Sequence, residues 1–436
     1  MSQKTDLLVL GATGFTGRLI TRYLSVHPQR NGFTFAVGAR SSAKLQTLLE
    51  DLNLEDDASI GKVQVDVTKP EDVEKAVKST RVIINTVGPY WRWGTPVVAA
   101  CARHGVHYVD LCGETVWIKH IIKHCDFVAS KSGAIIVPSC GYDSIPSDVS
   151  AYLSNKTLKS LSIPLDVGAS TTTHKLKGGN RSQGIKARLT PALLAFPPLS
   201  TYHKVSVAGH RPPSPQLYYK LPVPGARPLI GAYFFMESAN KALVQRTFGL
   251  LELDARTSNS KEAQLGRYGP DFVYEEFMVL PNVFTAVLYT LVFMAGFLIL
   301  AFVRPVRWLA TKLLPQSGEG PSDESMRRGY MVATNISQST SEPPVYVRSV
   351  MKGNGDPGYL LTAIMISESA LSCIISQDSR KSAPEEARQG LPLLARRGGG
   401  IFTPMTAFGD VLIKRLEVTG RFEFSSAIVE ENDKED

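Results

Sequence analysis

A glycine-rich turn near the N terminus is the first part of the sequence whose residue types and spacing could do chemistry. Its members are Gly11, Ala12, Thr13, Gly14, Phe15, Thr16 and Gly17, and they follow an apolar run at residues 7–10. Glycines spaced as GxxGxxG between a strand and a helix let a pyrophosphate approach backbone N–H groups at the helix N terminus. The turn therefore predicts a dinucleotide site; the alternative is a glycine-rich turn that binds nothing.

The end of the second apolar run, at residues 33–37, indicates which nicotinamide dinucleotide would bind. An acidic residue there accepts a hydrogen bond from the ribose 2′-OH, whereas a cation pairs with a 2′-phosphate. No Asp or Glu occurs between residues 33 and 49, while Arg40 and Lys44 are present. We therefore predict NADP(H) rather than NAD(H); the alternative is that Arg40 is an ordinary solvated residue.

Polar and turn residues follow the third and fourth apolar runs, at residues 63–67 and 82–87. Asp66 could accept the adenine amino group, or it could only cap the next helix. Asn85, Gly88 and Pro89 are predicted beside the nicotinamide ribose, because the carboxyl ends of parallel strands meet at one edge of a sheet.

Two residues are candidates for the chemical step. Hydride transfer requires close positioning and a proton donor rather than a nucleophile. Tyr90 lies beyond the fourth run, and Asp143 lies after a fifth run at residues 135–138, so both could donate or shuttle a proton. An aromatic shelf for the cofactor and a turn-capping carboxylate are the alternative roles. His120 and His124 are one helical turn apart but lack a second pair of ligands, so no metal site is predicted.

These residues require a scaffold in which five apolar strands alternate with helical patterns. Such alternation predicts an α/β fold with a Rossmann-type, doubly wound parallel sheet, followed by a second α+β domain and an apolar helix. The predicted divisions are an NADP(H)-binding domain at residues 1–150, a second domain for substrate binding or dimerisation at 151–282, a membrane-associated segment at 283–315, and the remainder of the second domain with a returning C-terminal helix at 316–436.

The apolar segment at residues 283–303 contains 21 residues without a charge. At about 1.5 Å per residue it is long enough to cross a hydrocarbon core of roughly 30 Å. Arg304, Arg307 and Lys312 follow it, as expected for contact with lipid headgroups. A single span and a hairpin or shallow insertion are both open at this point; a buried core helix is the alternative to either.

Composition excludes several classes of protein. The 436 residues are 43% hydrophobic and 20% charged, which excludes intrinsic disorder as the main state. The net charge of +8 is spread along the chain without a block of like charges, so a nucleic-acid partner is not expected. Five cysteines without a CxxC pair indicate reduced thiols in the cytosol.

Five motifs in order carry a family resemblance. They are GATGFTG, VGPY at residues 87–90, HYVDLCGE at 107–114, SCGYDSIPSD at 139–148 and GGGIFTPMTAFGDVLIKRL at 398–416. The chain resembles the saccharopine dehydrogenase-like oxidoreductases, which include bacterial trans-acting enoyl reductases. The resemblance implies a Rossmann domain, NADP(H), and attachment to membranes or lipid droplets. Residues 141–148 lack the proline and histidine of the GxDPGxDH-like segment in lysine-pathway enzymes, so saccharopine dehydrogenase activity is not expected.

The predicted function is that of a membrane-associated NADP(H)-dependent oxidoreductase acting on a lipid or other apolar carbonyl or enoyl compound. It would face the cytosol on a lipid droplet, the endoplasmic reticulum or the mitochondrial outer surface, and the second domain could form a homodimer. The alternative is a catalytically silent NADP(H)-binding scaffold or redox sensor at the same membrane.

Overall fold

The N-terminal part of the chain forms a parallel sheet with helices on both faces. The computed structural model describes residues 4–142, 144–177, 216–313, 320–375 and 384–429. The first six strands are β1 (Thr5–Leu10), β2 (Phe35–Ala39), β3 (Ile60–Gln64), β4 (Thr80–Asn85), β5 (His107–Asp110) and β6 (Ile135–Val137). The helices between and after them are α1 (Phe15–Ser25), α2 (Ser42–Asp51), α3 (Pro70–Lys78), α4 (Tyr90–His104), α5 (Thr115–Ser132) and α6 (Ile145–Lys159).

The strand order confirms the doubly wound Rossmann-type sheet. It runs β13-β6-β5-β4-β1-β2-β3, where β13 is Gly400–Ile401 from the distant C-terminal part of the chain. The order reverses between β1 and β4, and ligands of such sheets bind at that reversal, outside the carboxyl ends of the strands. The glycine-rich turn follows β1 and therefore lies at the predicted place.

Several strand boundaries differ from the predicted ones. The second strand ends two residues later than predicted, at Ala39, and the third lies three residues earlier, at Ile60–Gln64. The prediction missed β5, because its four residues begin with a histidine and end with an aspartate and leave only two apolar positions. It also missed β13, whose two residues carry no periodic signal.

A second, mixed sheet follows, which confirms the predicted α+β character. Its strands are β7 (Val167–Lys177), β8 (Tyr219–Leu221), β9 (Leu229–Ala232), β10 (Val273–Val279), β11 (Tyr330–Ser339), β12 (Tyr346–Asn354) and β14 (Phe422–Ile428), in the order β14-β12-β11-β7-β10-β9-β8. The strand β10 runs parallel to β7, and β11 pairs with β7 antiparallel on its other side.

The remaining described helices connect or cover the two sheets. They are α7 (Glu237–Thr257), α8 (Lys261–Gly266), α9 (Val283–Phe302), α10 (Arg304–Leu313), α11 (Asp323–Arg327), α12 (Thr362–Ser372), α13 (Pro384–Gln389), α14 (Leu393–Arg397), α15 (Pro404–Ala407) and α16 (Gly409–Val418). Helix α6 runs through residue 150, where the sequence placed a domain boundary, and it packs on β11 and β12 of the second sheet. Every residue of α12 is buried, between α1 and strands β4 and β5 of the first sheet.

Helix α9 contains the predicted apolar segment. It begins at a capping box in which the Asn282 side chain accepts a hydrogen bond from the Thr285 N–H at 2.9 Å. Among the described residues it is the one helix long and apolar enough to cross a membrane, and 11% of residues Val283–Leu300 are buried. A core helix would be mostly buried, so this alternative does not fit the fold.

A buried ion pair ties the C-terminal helix α16 to the first domain. The Arg415 Nε donates to Glu368 Oε2 at 2.7 Å, and His27 Nε2 lies 2.9 Å from Glu368 Oε1. Tyr23 donates its hydroxyl to the same carboxylate. Burial by itself raises the pKa of Glu368, but Arg415 and His27 outweigh it and hold the pKa below its usual value. The stability that this carboxylate contributes is therefore present above its ordinary pKa and is lost as the pH falls through the lower folded pKa.

We predict that Arg415→Met lowers the free energy of unfolding by about 3 kcal/mol, because it leaves the Glu368 carboxylate buried without its cation. Chemical denaturation followed by circular dichroism measures this loss. The matched control is Arg328→Met, which removes an exposed ion pair with Glu324 and should cost no more than about 0.5 kcal/mol. Equal effects of the two substitutions would contradict the structural role of Glu368.

Candidate functional site

The glycine-rich turn brings the first turn of α1 to the carboxyl edge of the sheet. Gly11 has φ of +80° and donates its N–H to the Gly38 carbonyl at 2.9 Å. Gly14 precedes α1 and donates to the Gly11 carbonyl at 2.9 Å, but it offers no side chain to cap the helix. The N–H groups of the first helical turn therefore face a space in which a pyrophosphate can accept from them.

Each of the three positions requires glycine for a different structural reason. A Cβ atom on Gly11 would lie 2.7 Å from Thr86 Oγ1, beside the end of β4. One on Gly17 would lie 2.3 Å from the Gly11 carbonyl oxygen, so this glycine permits the helix to pack on the turn. One on Gly14 would approach the Gly11 oxygen at 3.3 Å and nothing else within 4 Å. Gly14 is thus the glycine whose missing side chain leaves space for a ligand.

The other residues of the turn hold it in place. Ala12 is buried, and Thr13 and Thr16 are half-buried. The Phe15 ring packs edge-on against Tyr359, with ring centroids 4.9 Å apart. These contacts fix the turn that presents the N–H groups.

Arg40 and Lys44 lie beyond the end of β2, on the side of the turn predicted for the ribose. Arg40 is exposed, and its carbonyl accepts from the Gln64 amide at 3.1 Å. Within the described parts of the chain, its guanidinium has no hydrogen-bond or ion-pair partner. The Lys44 N–H donates to Ser41 Oγ at 3.3 Å, so that Ser41 caps the N terminus of α2. A free guanidinium in this position suits a 2′-phosphate.

Asp66 lies in the turn before α3 but does not cap that helix, whose N-cap is Lys69 without a side-chain cap hydrogen bond. It lies two residues beyond β3, and its carboxylate accepts from the Thr68 N–H at 3.0 Å and from Thr68 Oγ1 at 2.8 Å. These two hydrogen bonds are the largest cause of its lowered pKa, with a smaller contribution from the nearby Arg40. The contact with adenine stays a prediction.

The buried Asn85 side chain holds the loop after β4 in position. This side chain is fully buried, donates to the Tyr108 hydroxyl at 3.0 Å and accepts from the Val87 N–H at 3.0 Å. Its polar groups are engaged inside the protein, so it positions the loop rather than presenting its amide to a ligand. Gly88 is exposed at the tip, and the peptide bond between Gly88 and Pro89 is cis.

Tyr90 is buried at the start of α4. Its hydroxyl donates to the Asn85 carbonyl at 3.0 Å and accepts from the Leu111 N–H at 3.3 Å. Burial, and then the nearby Asp110 and Cys112, raise the pKa of this phenol well above its usual value. The contacts give Tyr90 a positioning role at the strand ends. Asp143, the other predicted proton donor, lies outside the described residues.

Asp110 is a site residue that sequence reasoning missed. It ends β5, is fully buried, and accepts from the N–H groups of Cys112 and Ser139 and from the Tyr108 hydroxyl, each at 2.9 Å. Burial raises its pKa to about 7. The motif at residues 107–114 contains the signal, but its use requires recognising β5 as a strand.

A second polar group lies where α6 meets the second sheet. The Glu276 carboxylate accepts from Ser147 Oγ at 2.8 Å, from the Asn240 amide at 2.8 Å and from the Tyr274 hydroxyl at 2.9 Å. His174 Nε2 lies 3.6 Å from Glu276, and its ring stacks on Phe234 with centroids 4.5 Å apart. Sequence reasoning could not find this group, because its members come from distant parts of the chain.

No metal site is formed by the described residues, in which no three His, Cys, Asp or Glu side chains converge suitably. The rings of His120 and His124 lie 4.2 Å apart between centroids and are tilted by 37° to each other. The five cysteines are buried thiols.

We predict that NADPH binds at least about tenfold more tightly than NADH, because a contact between a guanidinium and a phosphate contributes on the order of 1.5 to 3 kcal/mol. Arg40→Ala should remove most of this difference, as measured by calorimetry. Arg81→Ala is the matched control, since Arg81 pairs with Asp6 near the start of β4, at the opposite edge of the sheet. Equal affinities of the unmutated protein for the two cofactors would refute the assignment.

We further predict that Gly14→Val abolishes NADPH binding and keeps the fold, because the new side chain fills the space beside the helix N terminus. Gly17→Ala should instead destabilise the domain, because its Cβ would collide with the Gly11 carbonyl. Calorimetry and thermal unfolding separate these effects. Unchanged affinity in a folded Gly14→Val variant would show that the turn is not the phosphate site.

Comparison with known proteins agrees with this site. Residues 7–137 match the family model described as the saccharopine dehydrogenase NADP binding domain. Two Mycobacterium tuberculosis proteins named, one of them provisionally, as trans-acting enoyl reductases are 28% identical to this chain over 437 and 447 residues. A trans-acting enoyl reductase of Mycobacterium ulcerans is 29% identical over 446 residues. Each alignment covers 95% of this chain and 96% of the relative.

A solved structure shows the same fold over nearly the whole chain. It is the apo saccharopine dehydrogenase (L-Glu forming) of Saccharomyces cerevisiae, with a TM-score of 0.50 and 13% identity, and the alignment covers 98% of this chain and 100% of that chain. The family model names the same cofactor that the glycine-rich turn and Arg40 predict, NADP(H). This protein is an NADP(H)-binding oxidoreductase that is similar at residues 7–137 to the saccharopine dehydrogenase NADP binding domain and, over nearly its whole length, to trans-acting enoyl reductases.

Proposed function

We propose that this protein uses NADPH to reduce an enoyl or carbonyl group of an apolar lipid at a cytosolic membrane surface. The observation that carries the proposal is a short loop, residues 233–236. It contacts the exposed apolar helix α9 at one end and the carboxyl edge of the nucleotide-binding sheet at the other. An apolar compound beside α9 is thus separated from the cofactor edge by one loop of the second domain.

The contacts of this loop extend in both directions. The Tyr233 ring lies 5.8 Å from the Phe293 ring of α9. The next residue, Phe234, stacks on His174 in the buried polar group. At the other end, a Cβ atom on Gly113 would lie 3.3 Å from Met236 Cε, and Gly113 belongs to the loop that follows β5. Aromatic and apolar side chains therefore line the way from the helix to the strand ends.

The cofactor and the protein contribute different parts of the proposed reaction. NADPH, when bound, supplies a hydride to the electrophilic carbon of the substrate, and a proton completes the reduction. The glycine-rich turn and Arg40 hold the phosphates, while Tyr90 and Asp110 fix the loops after β4 and β5. The apolar loop at residues 233–236 keeps water from the strand ends, which favours hydride transfer.

The relatives support an enoyl substrate, since they are named trans-acting enoyl reductases. Reduction of an enoyl group adds the hydride to one carbon of the double bond and a proton to the other. Residues 141–148 depart from the segment expected of lysine-pathway enzymes, so an amino-acid substrate is less well supported than a lipid.

We predict stoichiometric NADPH oxidation when the full-length protein meets trans-2-enoyl lipids in phosphatidylcholine vesicles, followed by nicotinamide absorbance and by mass spectrometry of the lipid. Saturated lipids of the same length and the Gly14→Val variant are the controls and should give no oxidation. NADPH binding without turnover over enoyl and carbonyl lipids would overturn the proposal and favour the silent scaffold or redox sensor.

A substitution in the connecting loop adds a sharper test. Tyr233→Ser should raise KM for a vesicle-embedded enoyl lipid several-fold and leave KM for a short, water-soluble enoyl ester unchanged, because Tyr233 contacts α9 rather than the cofactor edge. The matched control is Leu253→Ser, which replaces an exposed apolar residue of α7. Equal effects on both substrates would show that lipids do not pass this loop.

A further inference from the structure

We infer that α9 and α10 lie flat in one leaflet of the membrane and that the chain enters and leaves this leaflet on the same side. The inference rests on the proposed membrane association and adds its geometry. It concerns one occupant of the exposed apolar surface, the acyl region of a lipid leaflet.

The sheet excludes a single transmembrane span. The strand before α9 is β10, and the next strand of the described chain after α10 is β11. Thr171 of β7 pairs with Glu275 of β10 on one side and with Ile336 of β11 on the other. A helix that crossed the bilayer would place β10 and β11 on opposite sides and separate one of them from β7. Both ends of the apolar segment therefore lie on one side of the membrane.

The packing of α9 shows that it does not stand upright in the bilayer. Ala286 and Thr290 are buried, and Phe293 contacts Tyr233, so the first half of the helix lies against the second domain near β9. An upright helix would carry its C-terminal end, and Arg304 directly after it, to the greatest depth. A charge at that depth is unfavourable, whereas a helix in the membrane plane keeps Arg304 at the headgroups.

The exposed side of α9 is apolar and opposite to the packed side. At 100° per residue, eight of the ten exposed large apolar side chains of α9 fall within roughly 160° of the helix circumference. They are Phe284, Leu288, Leu291, Val292, Met294, Leu298, Ile299 and Phe302, and the two outside this arc are Val283 and Phe297. A helix on a water-exposed surface would carry polar residues on that side. The other two residues on this arc, Val287 and Ala295, are apolar as well, and contact with acyl chains explains an arc of this width without a polar residue.

Helix α10 has the pattern of an interfacial helix. Val306 and Leu309 lie three residues apart on one helix face, and Arg304 occupies a position on another. Val306 and Leu309 are exposed. A short helix with an apolar face and basic positions beside it lies at the boundary between headgroups and acyl chains, at a depth of about 5 to 10 Å. It therefore continues the flat orientation of α9.

The test uses single introduced cysteines in the full-length protein, since the five native cysteines are buried. Leu298→Cys places a label on the exposed side of α9, and Phe127→Cys places one on α5, where Phe127 is 72% exposed. Both carry a fluorescent nitrobenzoxadiazole label and are bound to vesicles of phosphatidylcholine and phosphatidylserine. Lipids with a nitroxide at a shallow or a deep acyl position then quench the fluorescence according to depth.

We expect the shallow nitroxide to quench the label at position 298 at least twofold more strongly than the deep one, and neither to quench the label at 127. Dithionite trapped inside the vesicles should leave both labels intact. Stronger quenching by the deep nitroxide, or loss of the label at 298 to trapped dithionite, would overturn the flat orientation in favour of a span. Absence of quenching, with a dimer in lipid-free solution, would assign the surface to a second copy of the chain.

A binding measurement completes the test. Val292→Ser and Leu298→Ser together should weaken flotation with these vesicles at least tenfold, whereas Phe127→Ser should leave it unchanged. None of these measurements requires turnover. Turnover without lipid quenching would overturn this inference but not the proposed reduction. Quenching without turnover would support this inference and contradict the proposed reduction.

Discussion

The buried carboxylate of Asp110 connects the loops that form the carboxyl edge of the first sheet. It accepts from the N–H groups of Cys112 and Ser139, which belong to the loops after β5 and β6. Through the Tyr108 hydroxyl it reaches Asn85 at the end of β4. One fully buried group thus sets the relative positions of three loops around the place predicted for the nicotinamide ring. An unpaired carboxylate would be costly at this depth, so its hydrogen bonds hold the loops firmly.

The two sheets are joined by helices rather than by a flexible linker. Helix α6 begins at the cofactor edge and packs on β11 and β12, and its Ser147 donates to Glu276 of the second sheet. The Arg415 to Glu368 pair returns the C-terminal helix to the first domain. Since both connections are buried, they fix the second sheet and the C-terminal helix relative to the first domain.

The sequence predicts the glycine-rich turn, the order of the alternating elements and the apolar helix, because each depends on local spacing. Local spacing is enough to predict the roles of Gly11, Gly14 and Gly17, and the absence of an acidic residue near Arg40 is visible in the sequence. Local spacing cannot predict the roles of Asp110 and Glu276. Asp110 accepts from Ser139, 29 residues away, and Glu276 accepts from Ser147, 129 residues away. Tyr90 shows the same limit: its position in the chain was informative, but the direction of its hydroxyl is set by Leu111 and Asn85.

The position of the apolar segment within the second sheet explains how a helix long and apolar enough to cross a membrane can coexist with this fold. Strands β10 and β11 both flank β7, so the chain between them can leave the sheet and return without changing the pairing of either strand. A segment inserted there can be as apolar as a lipid phase requires, because the core of neither domain depends on its exposed side. The same insertion lies next to β9, whose following loop reaches Gly113 at the cofactor edge. The proposed membrane contact and the proposed substrate delivery can therefore share one structural element, while the glycine-rich turn lies on the other sheet.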